Sequence, residues 1–227
     1  MSESFSTDID DLPQTLPVFP LTGALLLPRA RLPLNIFEPR YVAMIDDAMG
    51  AGRLIGMIQP QQENASGKNP PLYNVGCVGR IVSFAETDDR RYLVALQGVA
   101  RFQVAEELPT TRGYRRIVPD WTKFANDVTD EEDVASNFSR EKLITTLRPY
   151  FKVQGIMANW ETIDELTPEK LVTAVATACP FSATEKQALL EAVDLKDRFD
   201  LLITLLQMAS RSGPSNSTGN DAGDVRH

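Results

Sequence analysis

Hydrophobic and polar residues alternate in short runs over the first half of the chain. From Leu16 to Trp121 each apolar run is brief and ends at proline, glycine or charged residues. This spacing is typical of β-strands joined by tight turns, and the many prolines before Pro71 exclude long helices there. The pattern predicts strands at Leu16–Leu21, Leu32–Phe37, Leu54–Gln59, Val75–Ala85, Tyr92–Gln97, Val99–Ala105 and Tyr114–Val118.

One segment within this region has helical spacing instead. Pro39 suits a first helical position, apolar residues recur from Tyr41 to Met49, and Gly50 follows them. The pair Asp88-Asp89 predicts a hairpin turn, and Gly98 predicts a bulge or bend between two strands. The polar stretch Gln61–Pro71 predicts a surface loop. Many short strands with one inserted helix favour a small, partly open barrel.

The second half of the chain has the spacing of helices. Thr129 and Glu132 predict a capping box for a first helix, which Pro149 would end or kink. Further helix starts are predicted at Thr167-Pro168, at the Ser182/Glu185 capping box and at Asp194. The predicted organisation is therefore an acidic disordered tail (1–12), a β-barrel domain (13–121), a helical subdomain (122–211) and a polar disordered tail (212–227). The fold class is α+β.

The charge is unevenly distributed along the chain. The protein has 227 residues with 31 acidic and 23 basic groups, a net charge of −8. Residues 13–120 are nevertheless basic, with 12 Lys and Arg against 10 Asp and Glu, and all but one of these basic residues are arginine. Overall acidity disfavours unaided binding to nucleic acid or to an anionic membrane. Arginine suits contact with carboxylates.

Several classes of catalytic and membrane protein are excluded by what the sequence lacks. The only histidine is His227, and Cys77 and Cys179 are the only cysteines, so His-based catalysis and a four-thiolate zinc site are excluded. No phosphate-binding loop or dinucleotide-binding motif occurs. No apolar stretch is long enough for a transmembrane helix, and the start of the chain has no secretory signal. We expect a cytoplasmic protein with no cofactor, no metal and no catalytic residues.

Arginines and apolar residues of the β region are the candidate contact residues. Arg29, Arg31 and Arg40 either form surface ion pairs with nearby acids or make a rim that binds carboxylates or peptide backbone. Four apolar side chains could line a groove beside them, although core positions suit them equally: Phe19, Leu26, Phe37 and Tyr41.

Four segments carry a resemblance to a known family. They are LPVFPL at Leu16–Leu21, LLLPRARLPLNIFEPRY at Leu25–Tyr41, LYNVGCVGRIVSF at Leu72–Phe84 and LVALQGVARFQV at Leu93–Val104. In order and spacing they resemble the N-terminal domain of Lon proteases, which recurs in cereblon and in stand-alone bacterial proteins. The segment from Ser182 to Leu206 looks like the helical part that follows the barrel in that family.

The resemblance implies a PUA-like pseudo-barrel followed by a helical subdomain that takes part in substrate recognition. The ATPase and Ser–Lys peptidase modules of Lon have no counterpart here, so it implies a stand-alone, non-catalytic bacterial form. We expect a module that recognises unfolded or extended polypeptide or a partner protein, as an accessory of proteolysis or protein quality control. RNA binding, known for other PUA-like barrels, is the alternative, as is a scaffold without a ligand.

Overall fold

Alternating apolar positions in the first half of the chain fold into six strands around one helix. In a computed structural model, which describes residues 9–61, 70–129 and 139–212, the strands are β1 (Leu16–Pro20), β2 (Arg31–Ile36), β3 (Leu54–Pro60), β4 (Leu72–Glu86), β5 (Tyr92–Thr111) and β6 (Tyr114–Asp120). Helix α1 (Pro39–Gly50) lies between β2 and β3 and begins at its proline as predicted.

Five of the strands close into a barrel, and the sixth lies beside it. β1 pairs in parallel with β3 and antiparallel with β6. From β3 the order continues to β4 and then β5, and β5 pairs with β6, which closes the barrel. The long strand β5 pairs with β4 along one edge. Its other edge pairs first with β2 and then with β6. The fold is therefore the predicted α+β class, with the inserted helix confirmed.

The barrel interior is filled around a single aromatic side chain. Phe102 is fully buried, and two glycines face it: a Cβ at Gly56 would lie 3.1 Å from the Phe102 ring, and one at Gly76 would overlap it. These glycines leave the space that the ring needs. The other buried residues of this interior cluster are Leu12, Leu16, Val18, Leu54, Ile58, Val78, Ala100 and Ile117.

The helices of the second half pack on the outside of the barrel. They are α2 (Arg140–Gln154), α3 (Trp160–Asp164), α4 (Pro168–Ala178), α5 (Ala183–Glu191) and α6 (Leu195–Ser212). Barrel residues such as Met57, Val75 and Cys77 share one buried cluster with helical residues such as Leu189 and Phe199. The predicted boundary near residue 121 is therefore a change of secondary structure across which the core continues.

A buried arginine connects the barrel to the helices. Arg101 of β5 donates through Nε and Nη2 to Asp127, each at 2.8 Å, and its guanidinium lies 4.2 Å from the ring centroid of Phe124. Its Nη1 also donates to the carbonyls of Leu190, at 3.1 Å, and Ala192 after α5. This bidentate, charge-assisted geometry fixes β5 against the helical part. Arg101 lies in the segment Leu93–Val104, three residues after Gly98.

Predicted element ends agree with the structure in several places and differ in others. Thr167, Ser182 and Asp194 cap α4, α5 and α6 as predicted, and Ser182 with Glu185 forms the capping box. The two predicted strands around Gly98 are one strand, with a register shift opposite Val78/Gly79 that confirms the bulge.

The first described helix of the second half begins later than the predicted start and does not end at Pro149. It begins at Arg140, because Ser139 is an extended N-cap whose side chain accepts from the amide of Lys142 at 3.1 Å. Glu132 of the predicted Thr129 capping box lies outside the described residues. The helix continues through Pro149, because burial of Leu147 and Tyr150 on either side offsets the lost hydrogen bond.

Short helical segments at the ends of the barrel were missed. Ile9–Asp11 and Thr122–Val128 form 3₁₀ helices, and α3 is a further unpredicted short helix. Leu12 is buried against the barrel interior, so residues 9–12 belong to the fold and not to the predicted tail. Most of the predicted loop at Gln61–Pro71 and of both predicted tails lies outside the described residues.

Candidate functional site

The sheet continues beyond the barrel as a three-stranded extension with one uncovered face. It consists of β2, the first half of β5 and the end of β4. On one face, buried residues such as Leu34, Ile36 and Val94 join the core with α1. The opposite face, which we call the open face, carries Arg31, Pro33, Asn35, Arg80, Ser83, Ala85, Leu93, Ala95 and Gln97. All are exposed except Arg80 and Ala95, which are half-buried.

The side chains of the open face form three rows across the strands. Arg31, Gln97 and Arg80 are paired across β2, β5 and β4. The next row is Pro33, Ala95 and Ser83, and the third is Asn35, Leu93 and Ala85. Paired residues in antiparallel strands share a face, so the face is cationic at one end and mainly apolar beyond it.

Large exposed apolar side chains occur on both faces of the extension. Among the described residues, Leu93 is exposed to 47% on the open face and Phe37 to 63% at its margin. Val82, at the register shift of β4, is exposed to 44%, and Phe84, exposed to 40%, is paired with Val94 of the covered face. Phe84 contacts Tyr92 with ring centroids 4.8 Å apart, and Arg91 lies 5.8 Å from the ring centroid of Phe37. A concentration of exposed apolar groups marks an interaction surface more often than scattered residues do.

The open face is bordered by a free strand edge. Within the described residues, β2 pairs with β5 alone, so the backbone of its other edge has no strand beside it. An unpaired edge next to an apolar face offers both hydrogen-bonding groups and side-chain contacts to an extended chain.

Helix α1 supports the extension from its covered face. The hydroxyl of Tyr92 donates to Asp46 at 3.0 Å, and that of Tyr114 donates to Asp47 at 2.7 Å. The hydrogen bond to Asp46 raises the pKa of Tyr92, while burial and then the bond to Asp47 raise that of Tyr114. Both phenols therefore stay protonated as donors at neutral pH, and both strands are held to α1.

The structure separates the residues predicted as contacts. Arg31 lies on the open face and Phe37 at its margin. Arg29 instead pairs with Glu169 of α4 at 2.8 Å, and Arg40 pairs with Glu38 at 2.8 Å. Three side chains lie in the core and present no surface to a partner: Phe19, Leu26 and Tyr41.

Sequence reasoning missed the contribution of β5. Residues 92–96 read Tyr-Leu-Val-Ala-Leu, an unbroken apolar run in a strand whose other face needs only Val94 and Leu96 for the core. A strand with one solvent-exposed face normally alternates apolar and polar residues. Leu93 and Ala95, at the positions where polar residues are expected, therefore indicate an apolar outer face.

The two cysteines lie in the core and not on the open face. Cys77 and Cys179 are free and buried. Burial raises the pKa of both thiols, that of Cys179 to about 12, so neither is a thiolate at neutral pH. No group of three or more His, Cys, Asp or Glu residues that could hold a metal ion occurs in residues 9–61, 70–129 and 139–212. Nor does any helix in that part of the chain have the length and apolarity to cross a membrane.

Comparison with known proteins gives a consistent result. Residues 15–208 match the family model described as "ATP-dependent protease La (LON) substrate-binding domain". Lon protease 2 of Myxococcus xanthus is 32% identical over 87% of this chain, and Lon protease of Desulfosudis oleivorans is 31% identical over 83%. The matches cover 24% and 23% of those proteins, so this chain spans about a quarter of the length of these relatives.

Solved structures show the same fold. A Lon N-terminal domain protein from Xanthomonas campestris matches with a TM-score of 0.57 at 23% identity, covering 84% of this chain and 97% of that one. The N-terminal domain of a Mycobacterium avium complex Lon protease also has a TM-score of 0.57, at 18% identity and with coverages of 85% and 97%.

Proposed function

The chain belongs to the substrate-binding domain family of ATP-dependent protease La (Lon), and on that premise we propose that its open face binds polypeptide segments in an extended, non-native conformation. Family membership supports a substrate-binding module. The observation that carries the more specific proposal is the uncovered apolar face around Leu93 beside the free edge of β2.

The chemistry of this surface suits unfolded chains. A strand edge offers backbone groups, which every polypeptide possesses, so pairing there requires no particular sequence. Leu93, Ala95 and Ala85 offer apolar contact to side chains that a folded protein keeps buried. Together they would bind segments by extended shape and exposed apolar groups, which distinguish unfolded from folded polypeptide.

The proposed role is non-catalytic and accessory to proteolysis or protein quality control in the cytoplasm. Buried thiols with raised pKa values support it, since they are poor nucleophiles and are kept free in a reducing compartment. In this proposal, another protein cleaves the peptide bonds of the bound polypeptide.

Removal of the central apolar side chain tests the proposal. We expect Leu93→Gln to weaken binding of reduced, carboxymethylated lactalbumin, a permanently unfolded protein, by about tenfold, because roughly 1.5 kcal/mol of apolar burial is lost. Fluorescence anisotropy of the labelled lactalbumin measures this. Met157→Gln, at a methionine that is 98% exposed outside the open face, is the matched control and should bind normally.

Two results would contradict the proposal. One is equal binding by the Leu93 variant, the Met157 control and the unaltered protein. The other is equal binding of native and unfolded lactalbumin. Incubation of the purified protein with casein and ATP should leave the casein intact, and cleavage by contaminant-free protein would refute the non-catalytic role.

A further inference from the structure

We propose that the open face selects polypeptide segments in which a carboxylate lies close to apolar side chains. The inference rests on the proposed function and specifies its substrate class. Of the described residues on the open face, only Arg31 and Arg80 are charged, and none is acidic. The protein as a whole has a net charge of −8, so the open face is locally positive on a protein that is negative overall.

The positive charge of the open face lies at one end, and Arg31 is its exposed member. Arg31 is exposed and has no ion pair or hydrogen-bond partner in the described part of the chain. Arg80, which is half-buried and donates to the carbonyl of Gly52 at 3.1 Å, lies two strands away in the same row, roughly 10 Å from Arg31 at normal strand spacing. On the side away from β5, Arg80 is paired with Leu54 of β3, and Arg53 directly precedes Leu54. A carboxylate at this end would therefore meet Arg31, with Arg80 further along the same row and no acidic residue among the described members of the open face.

The apolar rows fix where the rest of the segment lies. Pro33 and Ala95 lie one row from the arginines, and Asn35 and Leu93 lie one row further. Alternate residues of an extended strand face the same way, with a repeat of about 7 Å. A segment lying beside β2 would thus place its carboxylate near Arg31, an apolar side chain about two residues away level with Pro33 and Ala95, and another about four residues away level with Leu93.

The composition of the face favours polypeptide over single-stranded RNA. RNA-binding sheets stack bases on aromatic side chains at their centre. Here the open face carries Leu93 and Ala95 on its middle strand and Ala85 beside them, and the nearest exposed aromatic on that side, Phe37, lies at the margin. An overall acidic protein also lacks the broad positive field that releases counterions from a phosphate chain.

A series of short labelled peptides with one apolar sequence tests the selectivity. The peptides differ only at one end, which carries paired Asp, paired Asn or paired Lys residues. We expect the Asp peptide to bind at least about threefold more tightly than the Asn peptide, and the Lys peptide to bind most weakly. Raising the salt from about 0.1 M to about 1 M should remove the difference between the Asp and Asn peptides.

Variants assign the preference to the face. Arg31→Gln should reduce the preference for the Asp peptide over the Asn peptide, while Arg211→Gln, an exposed arginine at the end of α6, should retain it. Equal binding of all three peptides, lost in Leu93→Gln, would overturn the selectivity and leave the proposed function standing. Absence of binding by any peptide or unfolded protein would overturn both. Displacement of the Asp peptide by single-stranded oligouridylate at physiological salt would assign the face to RNA instead.

Discussion

Arg101 and Arg198 are both buried arginines, but their surroundings differ. Arg101 forms a bidentate pair with Asp127, whose side chain is only 10% exposed. Arg198 donates through Nε to the carbonyl of Leu189 at 3.0 Å, and its Nη2 has no partner within the described residues. Burial, and then the neighbouring charge of Arg101, lower the pKa of Arg198 to about 10. One arginine is thus compensated and the other is not.

This difference predicts unequal costs for the same substitution. Arg101→Met leaves Asp127 as a buried, unpaired carboxylate and should lower the free energy of unfolding by about 3–5 kcal/mol. Arg198→Met removes an under-compensated charge and should cost at least about 2 kcal/mol less, or stabilise the protein. Urea unfolding followed by circular dichroism compares the two variants. Equal losses would show that Arg198 is as well compensated as Arg101.

At the scale of elements, β5 is held in place by a close backbone contact. The amide of Gly98 donates to the carbonyl of Ala30, and the amide of Arg29 donates to the carbonyl of Gly98, both at 2.9 Å. The segment before β2 thus crosses β5 where β2 pairing gives way to β6 pairing. A Cβ at Gly98 would lie 2.8 Å from the Leu27 carbonyl carbon, so only glycine allows this crossing.

An added methyl group tests the crossing. Gly98→Ala should destabilise the protein by about 1–3 kcal/mol, because the group it meets is backbone and cannot move aside. The thermal unfolding midpoint measures this loss. Gly50→Ala is the matched control, since nothing lies within 4 Å of its Cβ position in α1, and it should leave the midpoint unchanged or raise it. Equal midpoints for both variants would refute the close contact.

At the scale of the whole molecule, the barrel and the helices share one core. Met57, Val75 and Cys77 would be exposed if the helices separated from the barrel. Gln59 reinforces the junction, since its Nε2 donates to the carbonyl of Ala183 at 3.0 Å and to Gln187 at 3.1 Å. We therefore expect the two parts to unfold together.

The two tryptophans report on the two parts separately. Trp121 packs against Phe102 at the barrel, and Trp160 packs against Phe151 among the helices. Trp160→Phe leaves a barrel reporter and Trp121→Phe a helical one. In each variant, urea unfolding followed by fluorescence should coincide with that followed by circular dichroism. Separate midpoints within one variant would mean that the barrel and the helices unfold independently.

Much of the fold was predictable from sequence because it depends on local signals. The period-two strands, Pro39 at the start of α1 and the capping box at Ser182 each follow from short-range chemistry. The continuation of α2 through Pro149 was not predictable, since packing of Leu147 and Tyr150 decides it. Tertiary burial outweighed local propensity there.

The candidate site was only partly predictable. Arg31 and Phe37 are among the predicted contact residues, and the structure places Arg31 on the open face and Phe37, exposed, at its margin. Arg29 was indistinguishable from Arg31 in sequence, yet it pairs with Glu169, a partner 140 positions away. Sequence could not distinguish Tyr41 from an exposed aromatic residue, because its burial depends on how α1 packs. Long-range pairing and the burial of one face are not encoded in local spacing.

Pro33 affects how long a polypeptide segment would remain bound at the edge of β2. It lies in the middle of β2 and has no amide hydrogen to donate, and prolines in sheets occupy positions whose missing donor points away from the neighbouring strand. A guest strand would therefore meet an interrupted ladder at its centre, with a shorter residence time than an unbroken ladder allows. The same interruption disfavours edge-to-edge pairing of β2 strands from different copies of the protein into fibres. The edge therefore stays accessible, and a bound segment can dissociate from it.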